Sequence, residues 1–169
     1  QLTCKVGEWK SGKAVSSADK NVSVSGNGEQ LATFTIPVPD AKLWSPESPF
    51  LYTLNLSTGS DDTKVRFGMR EFHFDTPTKR AYLNGKMIFL RGSNITLHRF
   101  FDDSLCVNHP WNEQWVRKLL TDLPQKYHWN SFRFCIGPVP DKWFDIADEA
   151  GLLIQNEYYI WNYRPYWDR

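Results

Sequence analysis

The feature that most constrains this chain is an ordered alternation of strand-like and helix-like patterns in its second half. Three short apolar runs have the composition of strands, at residues 86–90, 131–136 and 152–155. Two amphipathic stretches separate them, at residues 110–123 and 140–150. In the first stretch, apolar side chains recur at four-residue steps: Trp111, Trp115, Leu119 and Leu123. Alternation at this spacing predicts parallel β-α-β units.

Local signals set the expected ends of these elements. Asn108 can act near the start of the first helix, Pro110 suits its first turn, and Pro124 is expected to end it. Gly151 is the expected stop of the second helix. Before both, the dipeptide at residues 84–85 is Asn-Gly, which predicts a tight hairpin with a type I′ turn.

Three parallel strands can begin either an open doubly wound sheet or a barrel. No Gly-rich phosphate loop follows any of the strands, which weakens the nucleotide-binding alternative. Polar residues do gather where the strands end, and they are Asn94, His98, Arg133, Asn156 and Glu157. Because β/α barrels build their sites at that edge, the order favours a barrel, which is incomplete since closure requires eight strands.

The first 74 residues have a β pattern instead. Runs with period-two alternation occur at residues 2–6, 31–36, 51–56 and 63–67. Clusters of Gly, Asp, Ser and Pro lie between them, and such alternation gives each strand one buried face, as in a β-sandwich. A sandwich needs roughly seven strands, and we count five or six. We therefore predict a sandwich domain over residues 1–74 whose first strands are missing, and a second domain over residues 75–169.

Composition excludes several function classes. A formal net charge of +1 gives no electrostatic basis for binding nucleic acid or a charged membrane surface, and no apolar stretch is long enough to span a bilayer. Three cysteines without a CxxC pair predict neither a disulfide framework nor a zinc site, so we expect no metal or cofactor. Aromatic residues reach 15%, which suits stacking on sugar rings or, equally, filling a core.

Four segments in order resemble glycoside hydrolase family 2, the family of β-galactosidases, β-glucuronidases and β-mannosidases. Residues 43–52 (LWSPESPFLY) and 65–72 (VRFGMREF) are similar to signatures of its immunoglobulin-like domain. Residues 82–94 (YLNGKMIFLRGSN) resemble the hairpin that enters its barrel, and residues 144–157 (FDIADEAGLLIQNE) resemble a later helix and strand. The resemblance implies an immunoglobulin-like β-sandwich followed by the first β/α units of an incomplete (β/α)8 TIM barrel.

The same resemblance implies hydrolysis of O-glycosidic bonds with retention of configuration. This chemistry needs two carboxyl groups about 5–5.5 Å apart, and in the family both follow strands beyond the third. We therefore expect no catalytic carboxylate in this chain, and we expect its partners to be a carbohydrate substrate and the remaining domains of a longer parent protein. The compartment stays open, with a periplasmic or secreted location favoured over a cytoplasmic one for a bacterial source.

The resemblance also assigns supporting roles. Arg133 matches an arginine beneath the nucleophile, where it would keep that carboxylate ionised; the alternative is an ion pair within the barrel. Asn94 and His98 fall in the first loop as candidate sugar contacts, although a lone histidine can equally be structural. Asn156 and Glu157 look at first like the acid/base pair, but they follow the third strand, so we expect them to shape the site without transferring the proton.

One segment departs from the family. Residues 134–140 read FCIGPVP where galactosidase- and glucuronidase-like members carry Ser-His-Tyr-Pro, so the usual sugar-facing histidine is absent. This puts a galactoside or glucuronide substrate in doubt and leaves two alternatives open: a carbohydrate-binding module built on the sandwich, and a non-catalytic barrel that acts as a scaffold. The aromatic residues 158–167 could wall a sugar subsite or pack against a neighbouring domain.

Overall fold

A computed structural model describes residues 1–26, 28–137 and 139–158. The chain divides into two compact units. The first comprises Gln1–Phe72 and Leu83–Gly85, and the second comprises His73–Tyr82 and the chain from Lys86 onward. The predicted aromatic wall at residues 158–167 lies outside the described residues except for Tyr158.

The described part of the first unit forms one antiparallel sheet. Its strands are β1 (Leu2–Glu8), β2 (Ala14–Lys20), β3 (Tyr52–Ser57) and β4 (Asp62–Phe67), in the order β2-β1-β3-β4. β2 was not predicted, because its sequence, AVSSADK, carries no apolar alternation. β2 lies at the edge of the sheet and is exposed along most of its length, so its side chains need not alternate between apolar and polar.

The strand predicted at residues 31–36 is wrong, because this segment is not part of a sheet. Its side chains nevertheless alternate as expected: Ala32, Phe34 and Ile36 are half-buried, whereas Leu31 is 92% exposed. The half-buried residues line an apolar cavity of about 560 Å³ together with β1 and β3 side chains such as Val6. The alternation therefore reflects packing of these side chains against a face of the sheet, and within the described residues the segment itself makes no strand hydrogen bonds with a neighbour.

Trp44 organises the end of the first unit and is fully buried. Its backbone N–H donates to the carbonyl of Met69 at 2.8 Å, and its carbonyl accepts from Asn84 Nδ2 at 3.0 Å. The guanidinium of Arg70 lies 4.6 Å above its ring. A Cβ on Gly68 would meet Trp44 Cβ at 3.0 Å, so glycine permits this close approach.

A hairpin sheet follows, with β5 (Phe72–Asp75), β6 (Arg80–Leu83) and β7 (Lys86–Ile88) in the order β5-β6-β7. The predicted type I′ turn is confirmed, since Asn84 and Gly85 have φ angles of 51° and 75°. Asn84 also bonds outside its turn: its N–H donates to Glu71 O at 2.8 Å, and its Oδ1 accepts from Glu71 N at 3.0 Å.

The second unit confirms the predicted β-α-β units. Its parallel strands are β8 (Gly92–Thr96), β9 (Ser131–Cys135) and β10 (Leu153–Asn156), in the order β10-β9-β8. Helix α1 (Glu113–Tyr127) joins the first two strands and α2 (Asp141–Ala150) joins the last two. The first parallel strand was predicted too early, at residues 86–90, because that apolar run belongs to the hairpin strand β7.

The predicted ends of α1 are wrong. The helix begins after Asn112, whose Oδ1 accepts from Trp115 N at 3.1 Å, while Asn108 and Pro110 belong to a separate 3-10 turn. Pro124 lies inside the helix, which ends at His128 in a left-handed conformation (φ 53°). A proline removes one hydrogen bond, and here only three residues follow it before the helix ends, so the loss is local. The predicted stop of α2 at Gly151 (φ 77°) is confirmed.

The core of the second unit lies between the sheet and the two helices. Phe132 and Phe134 of β9 are buried against Val116 and Leu120 of α1 and against Trp143 of α2. Trp143 is fully buried, and its Nε1 donates to Pro110 O at 2.9 Å. Trp111, expected on the apolar face, is 64% exposed because it precedes α1.

Over the part of the chain that is described, neither helix is long and apolar enough to cross a membrane.

Candidate functional site

The register of the parallel sheet decides which polar residues share a face. Asn94 is paired with Arg133, and Arg133 with Gln155, so these three side chains lie on one face of β8, β9 and β10. The next level pairs Phe134 with Asn156. Phe134 is fully buried, and its ring lies 5.6 Å from that of Trp143 on α2. The side chains of Phe134 and its partner Asn156 therefore face the helices. Arg133 therefore lies on the face opposite the helices.

Arg133 and Glu157 form the centre of the candidate site. Glu157 follows β10 directly, and its Oε1 accepts hydrogen bonds from Arg133 Nε at 3.1 Å and from a terminal guanidinium nitrogen of the same residue. Its second oxygen, Oε2, accepts from the backbone N–H of Ile136 at 3.0 Å. Both carboxylate oxygens are thus bound. Arg133 and Glu157 thus form an ion pair, whereas the position of Arg133 beneath a nucleophile stays a prediction.

The electrostatics of this pair favour its charged form. The hydrogen bond from Arg133 is the main influence that lowers the pKa of Glu157, and the backbone N–H of Ile136 lowers it further. In turn, the hydrogen bond to Glu157 raises the pKa of Arg133. A general acid needs a pKa raised towards neutrality. Glu157 is therefore ionised at neutral pH and is unsuited to donate a proton to a leaving group.

The loop after β9 has an unusual backbone at the same place. Ile136 has a φ of 58° and Gly137 a φ of 116°. Positive φ is rare for a β-branched residue, because the side chain crowds the neighbouring carbonyl. The main chain of Glu157 is bound to β9 and to this loop: its N–H donates to Phe134 O at 3.0 Å, and its carbonyl accepts from Gly137 N at 3.2 Å.

The other predicted site residues are distributed around this centre. Asn94 is exposed on the face of Arg133. His98 is half-buried in the 3-10 turn Leu97–Phe100 that follows β8. Asn156 lies on the face of the sheet that the helices cover, where its Oδ1 is buried and makes no hydrogen bond within the described structure. The structure thus brings Arg133 and Glu157 into contact and places Asn156 on the opposite face.

Two further residues matter for the site and were not singled out from the sequence. Ile136 was missed because nothing about an isoleucine suggests a left-handed backbone; only the following Gly137-Pro dipeptide marks a turn. Asn130 is buried at the start of β9, where its Oδ1 accepts from Arg91 N at 2.8 Å and its Nδ2 donates to Phe89 O at 2.9 Å. Asn130 therefore fixes the segment that leads into β8.

Within residues 1–26, 28–137 and 139–158, no group of three or more His, Cys, Asp or Glu side chains is placed to hold a metal ion.

Comparison with known proteins identifies relatives of the chain. Residues 2–70 match the family model of glycosyl hydrolases family 2. The β-galactosidase of Streptococcus thermophilus is 30% identical over 145 residues, which cover 81% of this chain and 13% of that protein. A putative β-glucuronidase of Formosa agariphila is 29% identical over 150 residues, covering 79% of this chain and 14% of that protein.

Solved structures agree at the level of fold. A glycosyl hydrolase family 2 member from Bacteroides cellulosilyticus superposes with a TM-score of 0.77 at 19% identity, covering 99% of this chain and 22% of that one. The β-glucuronidase of Parabacteroides merdae gives a TM-score of 0.68 at 24% identity, covering 90% of this chain and 18% of that one. The family resemblance is thus confirmed in its coarser form: the chain is homologous to family 2 β-galactosidases and β-glucuronidases over a small part of their length.

Proposed function

We propose that this chain is an internal part of a retaining β-glycosidase of glycoside hydrolase family 2. In this proposal residues 1–74 belong to an immunoglobulin-like sandwich and residues 75–169 open a (β/α)8 barrel. The observation that carries it is the polar cluster of Arg133 and Glu157 at the carboxyl end of parallel strands, where β/α barrels build active sites. Homology over 79–81% of the chain to a β-galactosidase and a putative β-glucuronidase supports the same conclusion.

The open margin of the sheet supports a continued barrel. Strand β8 is the last in its sheet order among the described residues, and its other edge has no partner strand there. Beside it lies an open depression of about 360 Å³ with largely apolar walls, including Ile95, Phe100, Trp115 and Leu119. A further strand and helix would cover both the edge and the depression, as closure of a barrel requires.

In the proposed mechanism, this chain supplies supporting residues, and later strands of the barrel supply both catalytic carboxylates. Retention requires one carboxylate as acid/base and one as nucleophile. Glu157 is ionised and has both oxygens bound, so we assign it neither role. The side chain of Arg133 is 38% exposed, so part of the guanidinium is open to a second carboxylate. There it would keep the nucleophile ionised through charge-assisted hydrogen bonds.

A second candidate function is a non-catalytic segment that binds carbohydrate or acts as a scaffold. The loop sequence FCIGPVP favours a non-catalytic role, because it lacks the Ser-His-Tyr-Pro motif that galactosidase- and glucuronidase-like members of the resembled family carry there. The same loop would also be compatible with a glycosidase for a sugar other than galactose or glucuronate.

The test is to express the complete reading frame that contains this sequence and to assay aryl β-galactoside, β-glucuronide, β-mannoside and β-glucoside. Hydrolysis with a β-configured first product, followed by NMR, is the expected result. Arg133→Lys should lower kcat/KM by about tenfold or more, because lysine cannot offer the planar set of N–H donors with which Arg133 binds Glu157 and would bind a second carboxylate. Arg117→Lys is the matched control, since Arg117 pairs with Glu149 between the helices.

Three outcomes would count against the proposal. Hydrolysis with inversion would contradict the retaining mechanism. Absence of hydrolysis together with glycan binding would favour the second candidate. Robust turnover by the 169-residue chain alone would contradict the assignment of both carboxylates to later strands.

A further inference from the structure

We infer that Glu157 is a positioning residue, which holds the loop after β9 in its left-handed turn and fixes Arg133 beside that loop. The consequence for catalysis rests on the proposed glycosidase function, whereas the effect on the loop does not.

The contacts of Glu157 join the end of β9 to the loop that follows it. One carboxylate oxygen accepts from the guanidinium of Arg133, and the other accepts from Ile136 N at 3.0 Å. The main chain of Glu157 adds a bond to Phe134 O at 3.0 Å and one from Gly137 N at 3.2 Å. Four residues between 133 and 137 are thus bound by a single residue from the neighbouring strand end.

The backbone conformation of Ile136 explains why the loop needs the contacts from Glu157. Its φ of 58° is a conformation that β-branched residues strongly disfavour, so the loop needs an external partner to stay in it. Glu157 supplies that partner, because its Oε2 binds the N–H that the left-handed turn directs towards β10. Since the lowered pKa of Glu157 keeps the carboxylate ionised at neutral pH, the bond is charge-assisted under ordinary conditions.

The loop matters for the proposed site because of where it lies. It leaves the carboxyl end of β9, and Val139, which is buried, leads it into α2. In parallel β/α folds these loops contact the substrate. A shift of residues 136–137 would therefore alter substrate binding and the direction of Arg133, although Glu157 itself need not touch the reacting atoms.

The first experiment measures amide hydrogen exchange in the isotope-labelled 169-residue chain. In Glu157→Gln we expect the amide of Ile136 to exchange about tenfold faster or more, because a charge-assisted hydrogen bond is lost. The control is Glu149→Gln, which removes a carboxylate paired with Arg117 at 2.8 Å in the same unit and should leave Ile136 unchanged. Unchanged protection of Ile136 in Glu157→Gln would overturn the inference.

A second variant tests whether Glu157 acts by stabilising the positive φ of Ile136 or only through its charge. Glycine adopts positive φ without cost, so adding Ile136→Gly to Glu157→Gln should return the amide shifts of Phe134 and Gly137 towards those of the native chain. Failure of the double variant to restore any of these shifts would show that the left-handed turn is not what Glu157 maintains.

The complete protein provides the functional readout. Glu157→Gln should raise KM for the best aryl glycoside and lower kcat/KM by about tenfold, with partial recovery on adding Ile136→Gly and no change in Glu149→Gln. If the native protein hydrolyses no glycoside, the proposed function fails, but the exchange experiment still decides whether Glu157 holds the loop. If hydrolysis is present and Glu157→Gln leaves both exchange and kcat/KM unchanged, only the positioning role fails.

Discussion

Gly92, the first residue of β8, gives the sharpest test of how the parallel sheet is built. A Cβ added there would lie 1.7 Å from the carbonyl oxygen of Ser131 and 2.6 Å from its carbonyl carbon. Both atoms belong to the backbone of the neighbouring strand β9, so no rotation of a side chain relieves the overlap. In Gly92→Ala the two strands must separate where they begin.

The size of the effect follows from the contacts around that point. Acceptable Cβ contacts start near 3.0 Å, so the strands must move apart by more than an ångström. This breaks or lengthens the bonds that Asn130 N (2.9 Å) and Ser131 N (3.1 Å) donate to Arg91 O. It also disturbs the bond from Arg91 N to Asn130 Oδ1 at 2.8 Å. At about 1 kcal/mol for each bond, plus loosened packing, we expect a loss of about 2–4 kcal/mol.

Hydrogen exchange of the β8 and β9 amides, followed against urea concentration, measures the stability of this unit separately from the first. The matched control is Gly28→Ala, where the new Cβ would meet only Ser25 O at 3.4 Å, an ordinary contact. We expect the control to change stability by less than about 0.5 kcal/mol. Native-like protection of β8 in Gly92→Ala would refute the claim that the strands approach this closely.

Three further predictions concern the second unit. Trp143→Phe should destabilise it by about 2–4 kcal/mol in urea unfolding, because it leaves a void and an unpaired Pro110 carbonyl in the core; an unchanged midpoint would contradict the buried bond. Asn112→Ala should cost about 1 kcal/mol by the same assay, with Asn112→Ser retaining most of the stability, because the bond to Trp115 N caps α1. Because folding lowers the pKa of Glu157, the ionised carboxylate stabilises the folded chain above the unfolded pKa near 4.5, and this stabilisation is lost as pH falls through the lower folded pKa. The free energy of unfolding should therefore change less steeply with pH between 5 and about 2 in Glu157→Gln than in the native chain. Identical slopes in the two proteins would show that the folded state lacks the ion pair.

The β-α-β order could be predicted from sequence because it depends on periodicity over many residues. The type I′ turn and the glycine stop of α2 could be predicted because each requires a backbone conformation that few residues adopt. The limits of α1 could not. Asn108 and Asn112 both suit a cap, and only the packing of the 3-10 turn around Pro110 decides that Asn112 is used.

Residues 31–36 show a second limit of sequence patterns. Alternation correctly identified which side chains face the apolar side, but hydrogen bonding to a neighbouring strand depends on where distant segments lie. The reverse failure occurs in β2, which is paired with β1 along its length except at one irregularity beside Val15 but carries no alternation. A period-two pattern therefore predicts faces more reliably than it predicts ladders.

The candidate site illustrates the same division between residue identity and geometry. Arg133 and Glu157 were both singled out from the sequence, but they stand 24 positions apart, and their contact depends on the register of β9 and β10. The left-handed Ile136 had no signal of its own, because its conformation is imposed by Glu157 and by the glycine that follows.

The register also supports the proposal that the dipeptide Asn156-Glu157 is not the acid/base pair. Asn156 lies at the level of Phe134, on the helix-covered side, whereas Glu157 reaches Arg133 on the opposite side of the sheet. Asn156 therefore does not reach the side of the sheet on which Arg133 and Glu157 meet. Here the two adjacent side chains lie on opposite faces, and the glutamate is kept ionised by hydrogen bonds from Arg133 and from the backbone of Ile136. A proton donor for the proposed reaction must therefore come from a carboxyl group that is protonated and free of such partners.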